Sequence, residues 1–146
     1  MYIEVYSKTG AAHIQAGLPC QDHYYRITDE DRQTIVICDG IQEIGGLAAK
    51  VVSQTLAEEL HHADYLKATV RTIRGRLYLF LQDKLNAYAK ENDLDIEKLA
   101  TTIMAISVNC HTGEALMIHL GDGIILSNCF AYPVSLPDNR IDRYMS

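Results

Sequence analysis

Two consecutive amphipathic segments in the middle of the chain restrict its fold more than any other feature. In each segment, apolar residues recur every three or four positions: Leu47, Val51, Val52, Leu56 and Leu60, then Val70, Ile73, Leu77, Leu81, Leu85 and Tyr88. This spacing places each set on one face of an α-helix. The sequence therefore predicts two long antiparallel helices, joined near residues 61–65, the second of which ends in the polar segment 90–95.

Segments with strand character lie on both sides of these helices. The predicted strands cover residues 2–7, 22–28, 34–38, 101–109, 114–120 and 124–130. Strands and helices do not alternate along the chain. This order predicts an α+β fold, with helices packed on a largely antiparallel sheet.

The composition of the third predicted strand and of two turns adds detail. Residues 34–38 (TIVIC) are short, apolar and rich in β-branched side chains, which predicts a strand buried on both faces. The sequences HTG at 111–113 and DG at 122–123 are typical of tight turns, so each predicts a hairpin between the strands beside it.

Composition limits the class of protein. A chain of 146 residues, 48% of them hydrophobic, has the size and core of one domain. Its net charge of −6 disfavours a nucleic-acid partner, because binding to phosphate backbones needs a positive surface. No apolar run approaches the ~20 residues that span a bilayer, and the four cysteines are too widely spaced for a paired motif, so we expect no membrane partner and a cytoplasmic location.

Three acidic turns are the candidates for chemistry. Asp39 directly follows an apolar strand and precedes Gly40, Asp22 lies where a loop enters its strand, and Asp122 lies between Gly121 and Gly123. Carboxylates and carbonyl oxygens are the ligands that Mg²⁺ and Mn²⁺ prefer. Each position also has a simpler interpretation, because Asp-Gly is a common hairpin turn and an aspartate often caps a helix. A metal site requires the fold to bring the three turns together.

A second candidate metal site would use histidines. His61 and His62 are adjacent, with Asp64 close by, but neighbouring residues of a helix point in different directions and no HExxH motif occurs. The better interpretation is that these histidines lie at the carboxyl end of a helix, where they interact favourably with its dipole.

Four segments in series resemble the protein phosphatase 2C family, in particular its shorter bacterial branch. They are HIQAGLPCQD at 13–22, IVICDG at 35–40, ATTI at 100–103 and HLGDGIIL at 119–126. The resemblance implies a β-sandwich flanked by antiparallel helix pairs, with a two-metal centre of Mg²⁺ or Mn²⁺ at one end. It also implies hydrolysis of phosphoserine or phosphothreonine in protein substrates by metal-activated water, here in bacterial signalling.

The resemblance also assigns roles to individual residues. Asp39 would bridge both metals and the Gly40 carbonyl would bind one of them, while Asp22 would hold a metal directly or through water. These two aspartates would be the catalytic residues. Asp122 corresponds to an aspartate near an additional, weaker metal position.

Several departures from the family pattern favour an alternative. Gln21 replaces a common acidic residue, Ile41 replaces a common histidine, and residues 16–18 (AGL) lack the arginine that holds phosphate in eukaryotic members. The resemblance covers residues 1–146 as one domain that lacks the family's C-terminal part, with its two further aspartates. The chain is therefore predicted to be either a phosphatase or an inactive binding module with this fold, and its uncovered sheet edge could form a homodimer.

Overall fold

The computed structural model of the protein describes residues 3–41, 44–65, 67–126 and 131–134. Its elements are α1 (Ala11–Ala16), β1 (Asp22–Thr28), β2 (Arg32–Ile41), α2 (Gly45–His62), α3 (Val70–Glu91), a 3₁₀ turn (Ile96–Lys98), β3 (Ala100–Thr101), β4 (Ile103–Asn109), β5 (Ala115–Leu120), β6 (Gly123–Leu126) and β7 (Ala131–Val134). Strands, two long helices and then further strands follow one another, as the sequence predicts for an α+β fold.

An antiparallel sheet of five strands forms the centre of the fold. β2 pairs with β1 on one side and with β4 on the other, the end of β2 also pairs with β3, and β5 pairs with β4. The predicted turn at residues 111–113 joins β4 to β5, so this hairpin is confirmed. Among the described residues, the strands outside this sheet form only a two-stranded ribbon of β6 and β7.

The core lies between one face of the sheet and α2. Val36 and Cys38 of β2 are fully buried and pack in one cluster with Val52, Leu56 and Leu60 of α2. Apolar burial of this kind is the main favourable contribution to folding. It also raises the pKa of the Cys38 thiol to about 12, because a thiolate would lose its hydration there.

The predicted second helix matches α3 closely. Thr69 caps it by accepting a hydrogen bond from the amide of Thr72, and the helix ends at Glu91, within the predicted polar segment. Two residues of the predicted apolar stripe, Ile73 and Leu77, are buried. In the part of the chain that the structure describes, no helix has the length and apolar character of a membrane span.

The prediction that β2 is buried on both faces was wrong. Val36 and Cys38 face α2, whereas Ile37 and Ile41 on the opposite face are exposed. The helices cover one face only, so the alternation of β2 places its other side chains outside the core. Leu47 of α2 is also exposed, whereas Ala48 and Ala49 beside it are fully buried.

The amino-terminal segment also differs from its prediction. Residues 3–7 form no strand; the guanidinium of Arg26 instead donates a hydrogen bond to the carbonyl of Ile3 at 2.8 Å. The segment between the predicted strands 2–7 and 22–28 contains α1, a helix of six residues that is followed by Gly17 in a left-handed conformation. A helix this short has too few residues to show a periodic apolar pattern.

The hairpin predicted at residues 122–123 was wrong as well. Gly121 and Gly123 have φ angles of 105° and 128°, which direct the chain out of the sheet after β5. β6 therefore pairs with β7 and not with β5. The predicted strand at 124–130 is realised up to Leu126, and residues 127–130 lie outside the described ones.

A buried polar network closes the carboxyl end of α2. His61 places its Nε2 2.7 Å from Asp29 Oδ2 and its Nδ1 3.3 Å from Thr34 Oγ1. Thr34 Oγ1 is 2.9 Å from Ser107 Oγ, and Arg32 donates to the Leu60 carbonyl at 3.0 Å. The predicted position of His61 at the helix end is confirmed, and its partners show a structural role for this side chain.

This network predicts an acid-dependent loss of stability at Asp29. The backbone amide of Arg32 and the His61 ring both bond to the carboxylate and lower its pKa, so its stabilising contribution is present above the ordinary value of ~3.9 and lost as the pH falls through the folded-state pKa. We expect Asp29→Asn to melt below the wild type at pH 7, with the difference closing towards pH 2.5. Thermal melts across this range test it, with Asp83→Asn on the exposed side of α3 as control; a constant difference would contradict it.

Candidate active site

Two of the three predicted aspartates meet at one end of the sheet. Asp22 begins β1 and Asp39 lies near the end of β2, and the antiparallel register places them directly opposite each other. Residues in such a pair project from the same face of a sheet. Their carboxyl groups lie close enough for Asp22 to raise the pKa of Asp39, and both side chains remain exposed.

Asp122 approaches this pair from the turn between β5 and β6. A Cβ on Gly121 would lie 2.6 Å from Thr102 Cγ2, and one on Gly123 would lie 2.6 Å from the sulfur of Met104, so both glycines permit close contact with the sheet. The backbone carbonyl of Asp122 lies 3.1 Å from Nε2 of the His119 ring, within hydrogen-bond distance. The turn thus lies against the strands that neighbour Asp39.

The electrostatics of Asp39 reflect this convergence. Its pKa is raised, first because its surroundings displace water and then because Asp22 bonds to it and repels its charge. Asp122 raises it further, and the ring of His13 in α1 acts in the opposite direction. The other two predicted aspartates therefore both act on Asp39, and the excess of negative charge favours a bound cation.

The predicted ligand Gly40 lies at a tight backbone contact. A Cβ on Gly40 would lie 2.2 Å from the carbonyl carbon of Gly45, and one on Gly45 would lie 2.5 Å from the carbonyl carbon of Gly40. This contact holds the first turn of α2 against the end of β2. Helix and strand meet here with no room for a side chain at either position, immediately beside Asp39.

Thr102 and Thr101 hold the backbone of Asp39 from the other side. The Asp39 amide donates to Thr102 Oγ1 at 3.1 Å, and the Asp39 carbonyl accepts from the Thr102 amide and from Thr101 Oγ1, both at 2.9 Å. The segment 100–103 belongs to the family resemblance, but no sequence pattern indicates a contact with Asp39. The pairing of β2 with β3 and β4 creates it.

A pocket of about 340 Å³ opens beside the carboxylates. Asp22, Asp39, Asp122 and Thr102 line it together with the amino-terminal residues 5–8 and the apolar outer face of the sheet. Lys8 supplies the one lysine or arginine among the described lining residues. Sequence reasoning missed Lys8, since a lysine in a loop carries no spacing that would distinguish it.

The fit to a metal ion is partial. Two carboxylates in contact provide hard oxygen ligands, and Mg²⁺ is commonly held by one or two carboxylates with water in the remaining positions. Among the residues that the structure describes, however, no group of three histidine, cysteine, aspartate or glutamate side chains is arranged to hold a metal, which applies equally to His61, His62 and Asp64. The described residues thus fit one ion at Asp22 and Asp39 better than two.

Comparison with known proteins identifies a family. The family model described as Protein phosphatase 2C matches residues 9–141, which includes α1, the whole five-stranded sheet and both long helices. No curated protein and no solved structure matches the chain.

Proposed function

Because the chain belongs to the protein phosphatase 2C family, we propose that it hydrolyses phosphoserine and phosphothreonine in protein substrates, with Mg²⁺ or Mn²⁺ as cofactor. The observation that carries this proposal is the contact between Asp22 and Asp39 at the edge of a pocket. An exposed pair of carboxylates that disfavour each other's charge has little value for stability, and it has a clear use as a cation site.

In this proposal Asp22 and Asp39 hold the metal, and the Gly40 carbonyl and Asp122 contribute ligands for a second or weaker position. A divalent ion at these carboxylates would lower the pKa of a bound water and so supply a nucleophile at neutral pH. The raised pKa of Asp39 supports this assignment, because a cation offsets both the loss of hydration and the repulsion that raise it. The predicted two-metal centre needs ligands beyond the described residues.

The other lining residues fit a phosphorylated side chain. Lys8 lines the pocket in a chain whose segment 16–18 has no arginine, so we assign it the positive charge that binds the substrate phosphate. Tyr6 and Tyr24 line the same pocket and are exposed. Their rings would contact the residue that carries the phosphate or its neighbours.

The outer face of the sheet supports the predicted β-sandwich. Beyond the pocket, half-buried apolar side chains occupy it in neighbouring strands, among them Ile106 and Met117. Such a face is stable when a second layer covers it. We propose that a second sheet of the same fold does so, and that the edges at β1 and β5 are where a second copy would pair.

An inactive binding module remains the second candidate. It is favoured by the absence, among the described residues, of three metal-ligating side chains in one group. Gln21, beside Asp22, lacks the negative charge that the family commonly has at this position, and Ile41, beside Gly40, lacks the imidazole. In this case the pocket would bind a phosphorylated partner without turning it over.

Phosphate release distinguishes the two candidates. The purified chain is incubated with a phosphothreonine peptide while Mn²⁺ or Mg²⁺ is titrated, with an excess of chelator as control. We expect release that rises with the metal and disappears with the chelator. Folded protein that releases no phosphate but binds the phosphopeptide in calorimetry would establish the binding module instead, and activity that persists in the chelator would exclude a metal-dependent phosphatase.

A further inference from the structure

β2 pairs with β3 and then with β4, and residue 102 lies between these two strands. The hydrogen-bond pattern of β2 is irregular here, at Asp39. The register of both neighbouring pairs, Ile37 with Met104 and Gly40 with Thr101, puts Asp39 opposite Thr102. The Thr102 amide donates to the Asp39 carbonyl at 2.9 Å, as in a regular ladder. In the other direction, the Asp39 amide donates at 3.1 Å to the hydroxyl of Thr102.

A side chain therefore takes the place of a backbone acceptor. The carbonyl of Thr102 lies 3.1 Å from the hydroxyl of Thr101. A side chain that bonds to nearby backbone groups competes with the ladder and allows the strand to deviate locally. The break between β3 and β4 at residue 102 is the result.

The side chain of Thr102 also contacts the turn that bears Asp122. Thr102 is 8% exposed, and the position of a Cβ on Gly121 lies 2.6 Å from its methyl carbon. The turn can occupy this place only because residue 121 is glycine. One buried threonine thus bonds to the backbone of Asp39 with its hydroxyl and packs against the neighbour of Asp122 with its methyl group.

We propose that Thr102 is the positioning residue of the site, which sets the separation of the Asp39 and Asp122 carboxylates through these two contacts. This inference rests on the proposed function for its consequence in metal binding, whereas the contacts themselves are properties of the metal-free chain. Thr102 is not a metal ligand in this role. It acts through Asp39 on one side and through Gly121 on the other.

Two substitutions separate the contacts. Thr102→Val keeps the branched shape against Gly121 and removes the hydroxyl, whereas Thr102→Ser keeps the hydroxyl and removes the methyl group. In metal-free protein, we expect hydrogen exchange of the Asp39 amide to accelerate about tenfold in Thr102→Val and to stay within about twofold of wild type in Thr102→Ser. The amide resonances of Gly121 and Asp122 should shift in Thr102→Ser and stay in place in Thr102→Val.

Metal binding supplies the functional readout. Calorimetric titration with Mn²⁺ should give a dissociation constant about tenfold higher for Thr102→Val, with the KM for a phosphopeptide changed by less than about twofold. A general loss of stability would not produce opposite exchange and resonance changes in the two variants.

The outcomes keep the inference and the proposed function apart. Thr102→Val with Asp39 exchange and Mn²⁺ affinity within about twofold of wild type would overturn the positioning role. Wild-type protein that neither binds Mn²⁺ nor releases phosphate would overturn the proposed function, and the metal-free exchange and resonance measurements would then decide the positioning role alone. If Thr102→Val does not fold, Thr102→Ser decides it: unchanged Gly121 and Asp122 resonances would overturn the role.

Discussion

Asp39→Asn is expected to reduce metal-dependent phosphate release by about 10³-fold or more. The substitution keeps the size of the side chain and removes the negative charge that the proposed function assigns to metal binding. A bound divalent ion stabilises the charge of a reaction by several kcal/mol, which corresponds to a loss of this order when the ion is no longer held. Initial rates at saturating Mn²⁺ measure the effect.

Stability should respond in the opposite way. The pKa of Asp39 is raised in the folded chain, so its contribution to stability is present at low pH and is lost as the pH rises through the folded-state pKa. At pH 7 the carboxylate is repelled by Asp22 and Asp122, and an amide is not. We therefore expect metal-free Asp39→Asn to melt at the same temperature as the wild type or higher.

The matched control is Asp83→Asn, which removes one carboxylate from the exposed side of α3, away from the pocket. It should retain the wild-type rate. Full activity of Asp39→Asn would exclude the proposed metal site. Loss of activity together with a lower melting temperature would instead mean that the variant is damaged as a fold, and the experiment would then be repeated with Asp22→Asn.

Gly40→Ala should destabilise the chain by about 3 kcal/mol, because the added carbon would lie 2.2 Å from a backbone atom of Gly45 that cannot move alone. Either the end of β2 or the first turn of α2 must shift. For a chain of this size, the midpoint of thermal unfolding should fall by roughly 6–12 °C. The variant should also bind Mn²⁺ more weakly than the wild type, because Asp39 is the preceding residue.

Gly75→Ala provides the control with the same chemical change. Gly75 lies in α3, and a Cβ built there would meet nothing within 4 Å. Alanine is favoured over glycine in a helix by about 0.5–1 kcal/mol, so this variant should be more stable than the wild type. Equal melting temperatures for Gly40→Ala and the wild type would show that the contact between Gly40 and Gly45 is looser than described.

The sequence predicts the elements of the fold where a periodic pattern extends over many residues. α2 and α3 follow from apolar stripes of four turns or more, and β1 from a short segment between turn residues. α1 is too short for such a pattern. The exit of β6 from the sheet depends on packing of Gly121 and Gly123 against Thr102 and Met104, which are distant in sequence. No local pattern records contacts of that kind.

The candidate site divides in the same way. Asp22, Asp39 and Asp122 are identified by residue type and by their turns, and the family match covers all three. That Asp22 lies opposite Asp39 depends on the register of β1 and β2, which the sequence leaves open. Thr102 and Lys8 are ordinary residues in their own segments. Their relation to the carboxylates exists only after the sheet and the amino-terminal segment have assembled.

The reactivity of Cys38 reports how often β2 separates from α2. Its thiol is fully buried and its pKa is raised to about 12, so a thiol reagent finds neither access nor thiolate while β2 is packed against α2. Cys110 is exposed and reacts in the closed state. Because Cys38 immediately precedes Asp39, the rate of alkylation at Cys38 itself measures how often the strand that bears the proposed metal ligand separates from its helix. A ligand that holds this end closed would slow the reaction without touching the sulfur.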